Sequence, residues 1–475
     1  MSRMSRRRLL GSSLSAVGGA LLLTRARTSG QVLGANNRIR IAIAGLNGRG
    51  ESHLGEFLAM PDVEVAYLID PDSRVLSRRA RQAQEKSGKR PEVLPDVRDA
   101  LDRKDVDVLS IAAPNHWHAL MTIWACQAGK DVYVEKPMSH NIREGRMAVE
   151  TARKYQRIVQ HGTQARSKGG WENVVEVIRS GQLGKLLVSR GLCYKRRGSI
   201  GVKPPQQPPE ELDFNLWLGP AREQPYHENL VHYNWHWFWD TGNGDIGNQG
   251  VHEMDKARWA IPGATLPRSV ISLGGRFGYE DQGQTANTQM AVFDYGESLL
   301  IFEVRGLETE KYHGVSVGNI CDLEGGTIAE GRFFPTGSKE PKPLPKVESR
   351  RGPGKNNFHN FMAAVRSRKQ SDLNADILEG HYSSALCHLA NASYRLGKEV
   401  PFQSADTSLA DAAGETLARM EEHLGAGNNL NLREISCRLG RQLTIDPKTE
   451  MAVGDEAANK ILAGGYRDGF SLPVV

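Results

Sequence analysis

The stretch Ile39-Arg40-Ile41-Ala42-Ile43-Ala44-Gly45-Leu46-Asn47-Gly48-Arg49-Gly50 decides the fold. Its first six residues form a short apolar run of the kind buried in a parallel sheet, and the run feeds directly into a glycine-rich turn that opens a helix. In such a strand-turn-helix unit the first glycine permits the tight turn. The amides that follow, with the positive end of the helix, receive a pyrophosphate. Against the pattern G-x-G-x-x-G, the middle glycine is replaced by Asn47, with Gly48 beside it. Asparagine tolerates positive φ better than most residues, so the turn is expected to survive the change. Gly45, Asn47, Gly48, Arg49 and Gly50 are the first candidate dinucleotide-binding residues.

Downstream, Val63-Glu64-Val65-Ala66-Tyr67-Leu68-Ile69-Asp70 reads as a second strand ending on an acid, with a helical stretch from His53 to Met60 before it. An acid there hydrogen-bonds the ribose hydroxyls and repels a 2′-phosphate, so Asp70 points to NAD rather than NADP. Val106-Asp107-Val108-Leu109-Ser110-Ile111-Ala112 and Asp131-Val132-Tyr133-Val134-Glu135 read as further strands alternating with helices. Repeated βαβ units make a parallel, doubly wound sheet. Beyond about residue 160 the rhythm changes to longer β-rich runs at 268–274, 289–295 and 298–305. The expected fold is α/β: an N-terminal Rossmann domain followed by an α+β domain with an open, mostly antiparallel sheet. The expected divisions are a signal and linker at 1–35, the NAD(P)-binding domain at 36–160, a substrate domain at 161–425, and a C-terminal extension of unassigned role at 426–475. Segments 357–368 and 378–396 have helical periodicity and are expected to pack across the domain junction or the sheet. The Pro/Gly/Lys-rich stretches 198–209 and 335–355 read as surface loops.

At 475 residues the chain exceeds one ordinary core, which agrees with two domains. The formal net charge of +6 suggests nucleic acid, but Arg3, Arg6, Arg7, Arg8, Arg25 and Arg27 of an acid-free leader account for all of it. The remainder is formally neutral and offers no case for a polyanionic partner. The leader itself, Ser5-Arg6-Arg7-Arg8-Leu9-Leu10 followed by a mild Gly/Ser/Ala/Leu run, resembles a twin-arginine signal. That reading makes the twin-arginine export machinery a partner and the periplasm, or another exported site, the expected location. No segment reaches the roughly 20 apolar residues of a membrane span. Cys126, Cys193, Cys321, Cys387 and Cys437 show neither a metal pattern nor a disulfide framework and read as buried thiols.

The chemistry concentrates at two strand ends. Pro114-Asn115-His116-Trp117-His118 follows the third strand, and Glu135-Lys136-Pro137 follows the fourth. Both fall at the carboxyl edge of the sheet, where doubly wound folds bind ligands. A lysine held in a partly apolar cleft loses stability as an ammonium and can serve as acid or base. Together these segments resemble the Gfo/Idh/MocA oxidoreductases, which carry Pro-Asn-x-x-His and Glu-Lys-Pro in this order and spacing. The similarity runs from Arg38 to about Arg395 and includes Gln160-His161-Gly162-Thr163-Gln164 at the domain junction. It implies a nicotinamide between the two domains, a sugar or polyol on the sheet side, and Lys136 as the active-site lysine. Pro114, Asn115, His118, Glu135 and Lys136 then join the cofactor site.

The resemblance also maps Asp-x-Gly-x-His-x-x-Asp onto Asn248-Gln249-Gly250-Val251-His252-Glu253-Met254-Asp255. His252 takes the substrate-contacting acid/base position, and Asp255 is the trailing acid that can orient it. Asn248 replaces an aspartate and cannot exchange a proton, so either His252 and Lys136 share that work or Asp245, one helical turn away, takes part of the charge. Upstream, Trp235-His236-Trp237-Phe238-Trp239 supplies flat aromatic faces suited to a carbohydrate, with Trp235, His236 and Trp237 as substrate candidates. No histidine spacing calls for a metal. The leading expectation is hydride transfer from a sugar, polyol or glycoside to NAD. An NAD-dependent glycoside hydrolase and a non-catalytic sugar-binding protein are the alternatives, and a homo-oligomer is left open.

Overall fold

The computed structural model describes residues 38–348, 351–402 and 410–474, so the leader and its twin-arginine reading lie outside the described residues. Strand β1 (Ile39–Ala44), helix α1 (Arg49–Leu58), β2 (Val63–Ile69), α2 (Ser73–Ser87) and β3 (Glu92–Leu94) make the first half of the N-terminal domain. The second half is β4 (Val108–Ile111), α3 (Asn115–Gln127), β5 (Asp131–Val134), α4 (Ile142–Lys154) and β6 (Val159–His161). All six strands are parallel, in the order β3-β2-β1-β4-β5-β6. The order reverses between β1 and β4, which leaves a crevice beyond their carboxyl ends. Ile39, Ile41, Ala42, Ile43 and Ala44 have no exposed surface, and helices on both faces explain why this run does not alternate.

The second domain begins with β7 (Leu186–Tyr194) and α5 (Gly250–Ala260), followed by β8 (Ser269–Gly275), β9 (Thr288–Asp294), β10 (Leu299–Arg305), β11 (Val317–Leu323), β12 (Gly326–Ala329), β13 (Arg332–Pro335) and the two-residue β14 (Lys342–Pro343). The stretch expected to be a loop from 335 therefore starts on the last residue of β13 and holds the edge strand β14. Helices α6 (Asn357–Ser367) and α7 (Ile377–Arg395) follow, then β15 (Lys398–Pro401), α8 (Ala410–Leu424), β16 (Ser436–Leu439), β17 (Leu443–Asp446), β18 (Met451–Ala452) and α9 (Glu456–Ala463). The main strand order is β14-β13-β12-β11-β7-β10-β9-β8-β16-β15. Only β7 and β10 pair in parallel, and the other pairings along that order are antiparallel.

Two helices and the extension tie the halves together. Phe358 and Phe361 of α6 enter the core of the first domain beside Ile39 and Ile41, and Phe358 stacks on Tyr133 with ring centroids 4.6 Å apart. Helix α7 sends Ile377 into the core of the first domain and Leu386 and Ala390 into that of the second. The extension is built into the second sheet: β16 pairs with β8 and β15, and β17 with β8. Its Glu450 is 6% exposed and accepts hydrogen bonds from Arg146 of α4 and from His381 Nε2 of α7, the latter at 2.8 Å. All five cysteines are buried and free.

Candidate active site

Gly45 follows directly on strand β1, and its φ is +81°. A side chain there would strain the left-handed backbone and bring a Cβ within 2.4 Å of the Ala113 nitrogen, so the turn passes directly against the loop after β4. At Gly50 an added Cβ would meet the Gly45 carbonyl oxygen at 1.8 Å. Gly48 is different, since a Cβ there meets nothing within 4 Å, and it caps the N-terminus of α1. Open space beside helix-terminal amides is what a phosphate requires. Asn47 is not among the residues with positive φ, so its tolerance of that conformation is not what preserves the turn. Its carbonyl accepts a hydrogen bond from Arg79 Nη2 at 3.1 Å, and its side-chain oxygen accepts one from Arg78 at 3.0 Å. Arg79 is 6% exposed and also donates to the Leu46 carbonyl at 3.0 Å, latching the turn to α2.

Asp70 follows β2 and faces the same space. Its two oxygens accept from the Leu46 amide at 2.8 Å and the Asp72 amide at 3.0 Å, leaving further lone pairs for a ligand hydroxyl. Burial pushes its carboxyl up to about 6, against the pull of those two amides.

Turn, acid and both strand-end motifs line one cavity of about 280 Å³. Gly45, Asn47, Gly48, Arg49, Asp70, Pro114, Asn115, His118, Glu135 and Lys136 are on its wall, whereas Gly50 packs beneath the turn. The residues present fit a dinucleotide: an open helix N-terminus at Gly48, a diol acceptor at Asp70, and a polar far end at Lys136 and Asn248.

At that end Lys136 Nζ donates to the Asn248 carbonyl at 2.8 Å and approaches its side-chain oxygen at 3.4 Å. Burial draws the lysine below its ordinary range, opposed by the charges of Glu135 and Asp245. Burial would raise Glu135, but a hydrogen bond from His53 at 3.1 Å and the charge of Arg49 at 2.8 Å hold it well below the usual carboxylate range. Glu135 thereby ties the glycine-rich turn to the loop carrying Lys136. His118 lies between two carbonyls, Ala113 O at 2.7 Å and Pro137 O at 2.6 Å, so its ring joins two loops as well as lining the cavity.

Several expected partnerships are not made. Asp255 does not orient His252, because it has no exposed surface and its oxygens are taken by Arg166 at 2.9 Å and Ser383 at 2.7 Å. Asp245 is not free to replace an acid at Asn248, because Arg197 grips both its oxygens at 2.7 and 2.8 Å. Asn248 Nδ2 does donate to Asp245, at 3.3 Å. Trp237 lies away from the cavity beneath the Arg197 guanidinium, 5.3 Å from its ring centre. Trp235 and His236 do reach the wall, stacked with centroids 3.6 Å apart. His252, at the first turn of α5, is half-buried and off the cavity wall. Burial, reinforced by the charge of Lys136, pushes it down to about 3, so it is neutral at physiological pH.

Residues 39–163 match the oxidoreductase family model described as an NAD-binding Rossmann fold, and residues 173–272 match the C-terminal alpha/beta domain of the same oxidoreductases. Over these two segments the chain is similar to the Gfo/Idh/MocA oxidoreductases, and its first domain is an NAD-binding Rossmann domain. A glycosyl hydrolase family 109 protein of Shewanella baltica is 30% identical over 156 residues, 31% of this chain and 33% of that one. The match thus spans about a third of the length of the curated relatives. Among solved structures, the WlbA dehydrogenase of Bordetella pertussis in complex with NADH and UDP-GlcNAcA superposes with a TM-score of 0.53 at 18% identity, covering 74% of this chain and 96% of that one. Levoglucosan dehydrogenase in complex with NADH gives 0.53 at 15% identity, covering 74% and 97%. At such identities the likeness is one of fold.

Proposed function

We propose that this is an exported NAD-dependent enzyme that oxidises a carbinol of a sugar, polyol or glycoside, keeping its cofactor through a redox-neutral cycle. The observation that carries the reading is that the glycine-rich turn, Asp70 and Lys136 share one cavity. Asp70, the amides after Gly45 and Arg49 hold the dinucleotide, and the chemistry it supplies when bound is reversible hydride acceptance. Lys136 is the proton-handling residue: burial favours its neutral form, which accepts the proton of the substrate hydroxyl at Nζ. His252 stays neutral; it lies off the cofactor cavity wall, and its substrate contact, a hydrogen bond accepted from a second hydroxyl, rests on the resemblance alone. The leader, read as a twin-arginine signal, supports export.

A second reading, cleavage of a glycoside on the same scaffold, is favoured by the name of the Shewanella relative. In that reading the dinucleotide held by Asp70, the amides after Gly45 and Arg49 would supply reversible oxidation beside a C–H whose loss expels the aglycone, and Lys136 would handle the proton. A non-catalytic sugar binder is disfavoured by the half-buried lysine in the cofactor cavity.

The test compares wild type with Lys136→Met on panels of sugars and glycosides, with bound NAD measured after denaturation. The variant should lose roughly 10²- to 10⁴-fold in turnover while retaining NAD. Near-normal turnover by the variant would remove Lys136 from the chemistry. Product formed in heavy water with deuterium beside the oxidised carbon, and without net NADH, distinguishes elimination from simple oxidation.

A further inference from the structure

A second cavity, of about 320 Å³, takes no part in the site described above. It lies among the starts of α3 and α4, the end of α7 and the extension around α9. Its floor is polar and deep: His116, Asn243, His388 and Asn391 are each 3–5% exposed. These groups are largely committed to one another and to backbone, as in Asn391 Nδ2 to Asn243 O at 2.9 Å and His116 between the carbonyls of Trp217 and Thr241. Burial keeps His116 neutral, at about 3, and raises Glu144 on the wall to about 7, where Tyr466 donates to it at 2.7 Å.

The mouth is cationic. Arg222 is engaged by Asp240 at 2.6 Å. Arg395 lies over the Trp239 ring, 5.0 Å from its centre, and Lys460 projects from α9 into the same opening. Among the described residues neither Arg395 nor Lys460 forms an ion pair with a carboxylate. Two cations with no carboxylate ion-paired to them, Arg395 sharing the field of Asp240, stand beside a hydrogen-bonding floor and form a receptor for one anionic group carried on a hydroxylated body.

We propose that this cavity binds a small anionic carbohydrate, of the sugar-acid or sugar-phosphate class, with Arg395 and Lys460 holding the anionic group and the floor facing the hydroxyls. The site adjoins the cofactor cavity. Asn115 on the wall of one donates to Asn243 on the wall of the other at 3.0 Å, so an occupant of the second cavity touches a side chain that fixes the first.

Calorimetric titration of the full chain with glucuronate, glucose 6-phosphate and glucose tests the proposal independently of turnover. At least one anion should saturate at one per chain with a dissociation constant below about 1 mM, and which one does so distinguishes carboxylate from phosphate. Glucose should bind at least tenfold more weakly, and Arg395→Ala and Lys460→Ala should each weaken the anion roughly tenfold without changing bound NAD. The proposal is overturned if neither anion saturates, if glucose binds as well, if both variants bind like wild type, or if NAD and the anion displace each other.

Discussion

At Asp70 two backbone amides converge on one carboxylate that burial nevertheless keeps near a pKa of 6. The ionised form accepts from a ribose diol and repels a 2′-phosphate. NAD affinity and the preference over NADP should therefore be full above about pH 7 and fall as pH drops through about 6. Titrations of both nucleotides at pH 5.5 and 7.5 check this, and Asp70→Asn should narrow the preference about tenfold or more at the higher pH. A pH-independent preference would contradict the assignment. Lys136 depends on pH in the same direction, since it accepts a proton only once it has lost its own. Turnover should rise with pH through a value below the ordinary lysine pKa and then level off. His252, at about 3, should add no limb between pH 5 and 8, and His252→Ala should lower the plateau without moving the limb. Asp70 and Lys136 were legible because each sits at a strand end that sequence periodicity locates. The role given to Asp255 failed for the complementary reason: its true partner, Arg166, comes from a distant chain segment; Asp245 does act on Lys136 by charge, but its grip by Arg197 is just as distant, and no local pattern announces either arginine.

Helix α2 shows how an element can carry function on its buried face. Val75, Leu76, Arg79, Ala80 and Ala83 form its buried stripe, and an arginine in such a stripe is a signal that its charge is used. Arg79→Met should leave the Leu46 and Asn47 carbonyls without their donor, cost about 1–3 kcal/mol of stability, and raise the NAD dissociation constant while sparing turnover of the loaded enzyme. Equilibrium unfolding and nucleotide titration separate the two effects. His53 was hidden in the same way, within the stripe of α1 that also holds Leu54 and Phe57. The extension was illegible for another reason: β16 and β17 have four residues each, too few for alternation to show, and their pairing with β8 is non-local. Glu450 of this segment is held at about 2: burial opposes its ionised form, but the hydrogen bonds from His381 and Arg146 prevail. A depressed carboxylate stabilises the fold above its unfolded pKa, and that contribution is lost as pH falls from about 4 toward 2. Glu450→Gln should cost about 1–3 kcal/mol at pH 7 and lose much of that difference on acidification, as measured by denaturant unfolding at both pH values.

Across the whole molecule, the proposed export ties the site to the leader. A twin-arginine route carries folded proteins, and this fold assembles its cofactor cavity from both domains, with α6 and α7 returning from the second half of the chain to close the first. On the proposed export route the dinucleotide is best bound beforehand, in the compartment where it is abundant. An exported enzyme that released NADH after each cycle would exhaust its supply, whereas one that returns the hydride to the same or another sugar would not. Such a cycle demands retention: a dissociation constant of about 1 nM, worth roughly −12 kcal/mol, outlasts export where a micromolar one does not. The exported form, purified without added nucleotide, should carry close to one NAD per chain and convert its substrate through many cycles with none supplied. Arg79→Met, with its turn unlatched, should arrive depleted and recover on incubation with NAD. An exported wild-type protein that arrives empty, or that turns over only while free NADH accumulates, would leave an ordinary dehydrogenase in place of the redox-neutral cycle.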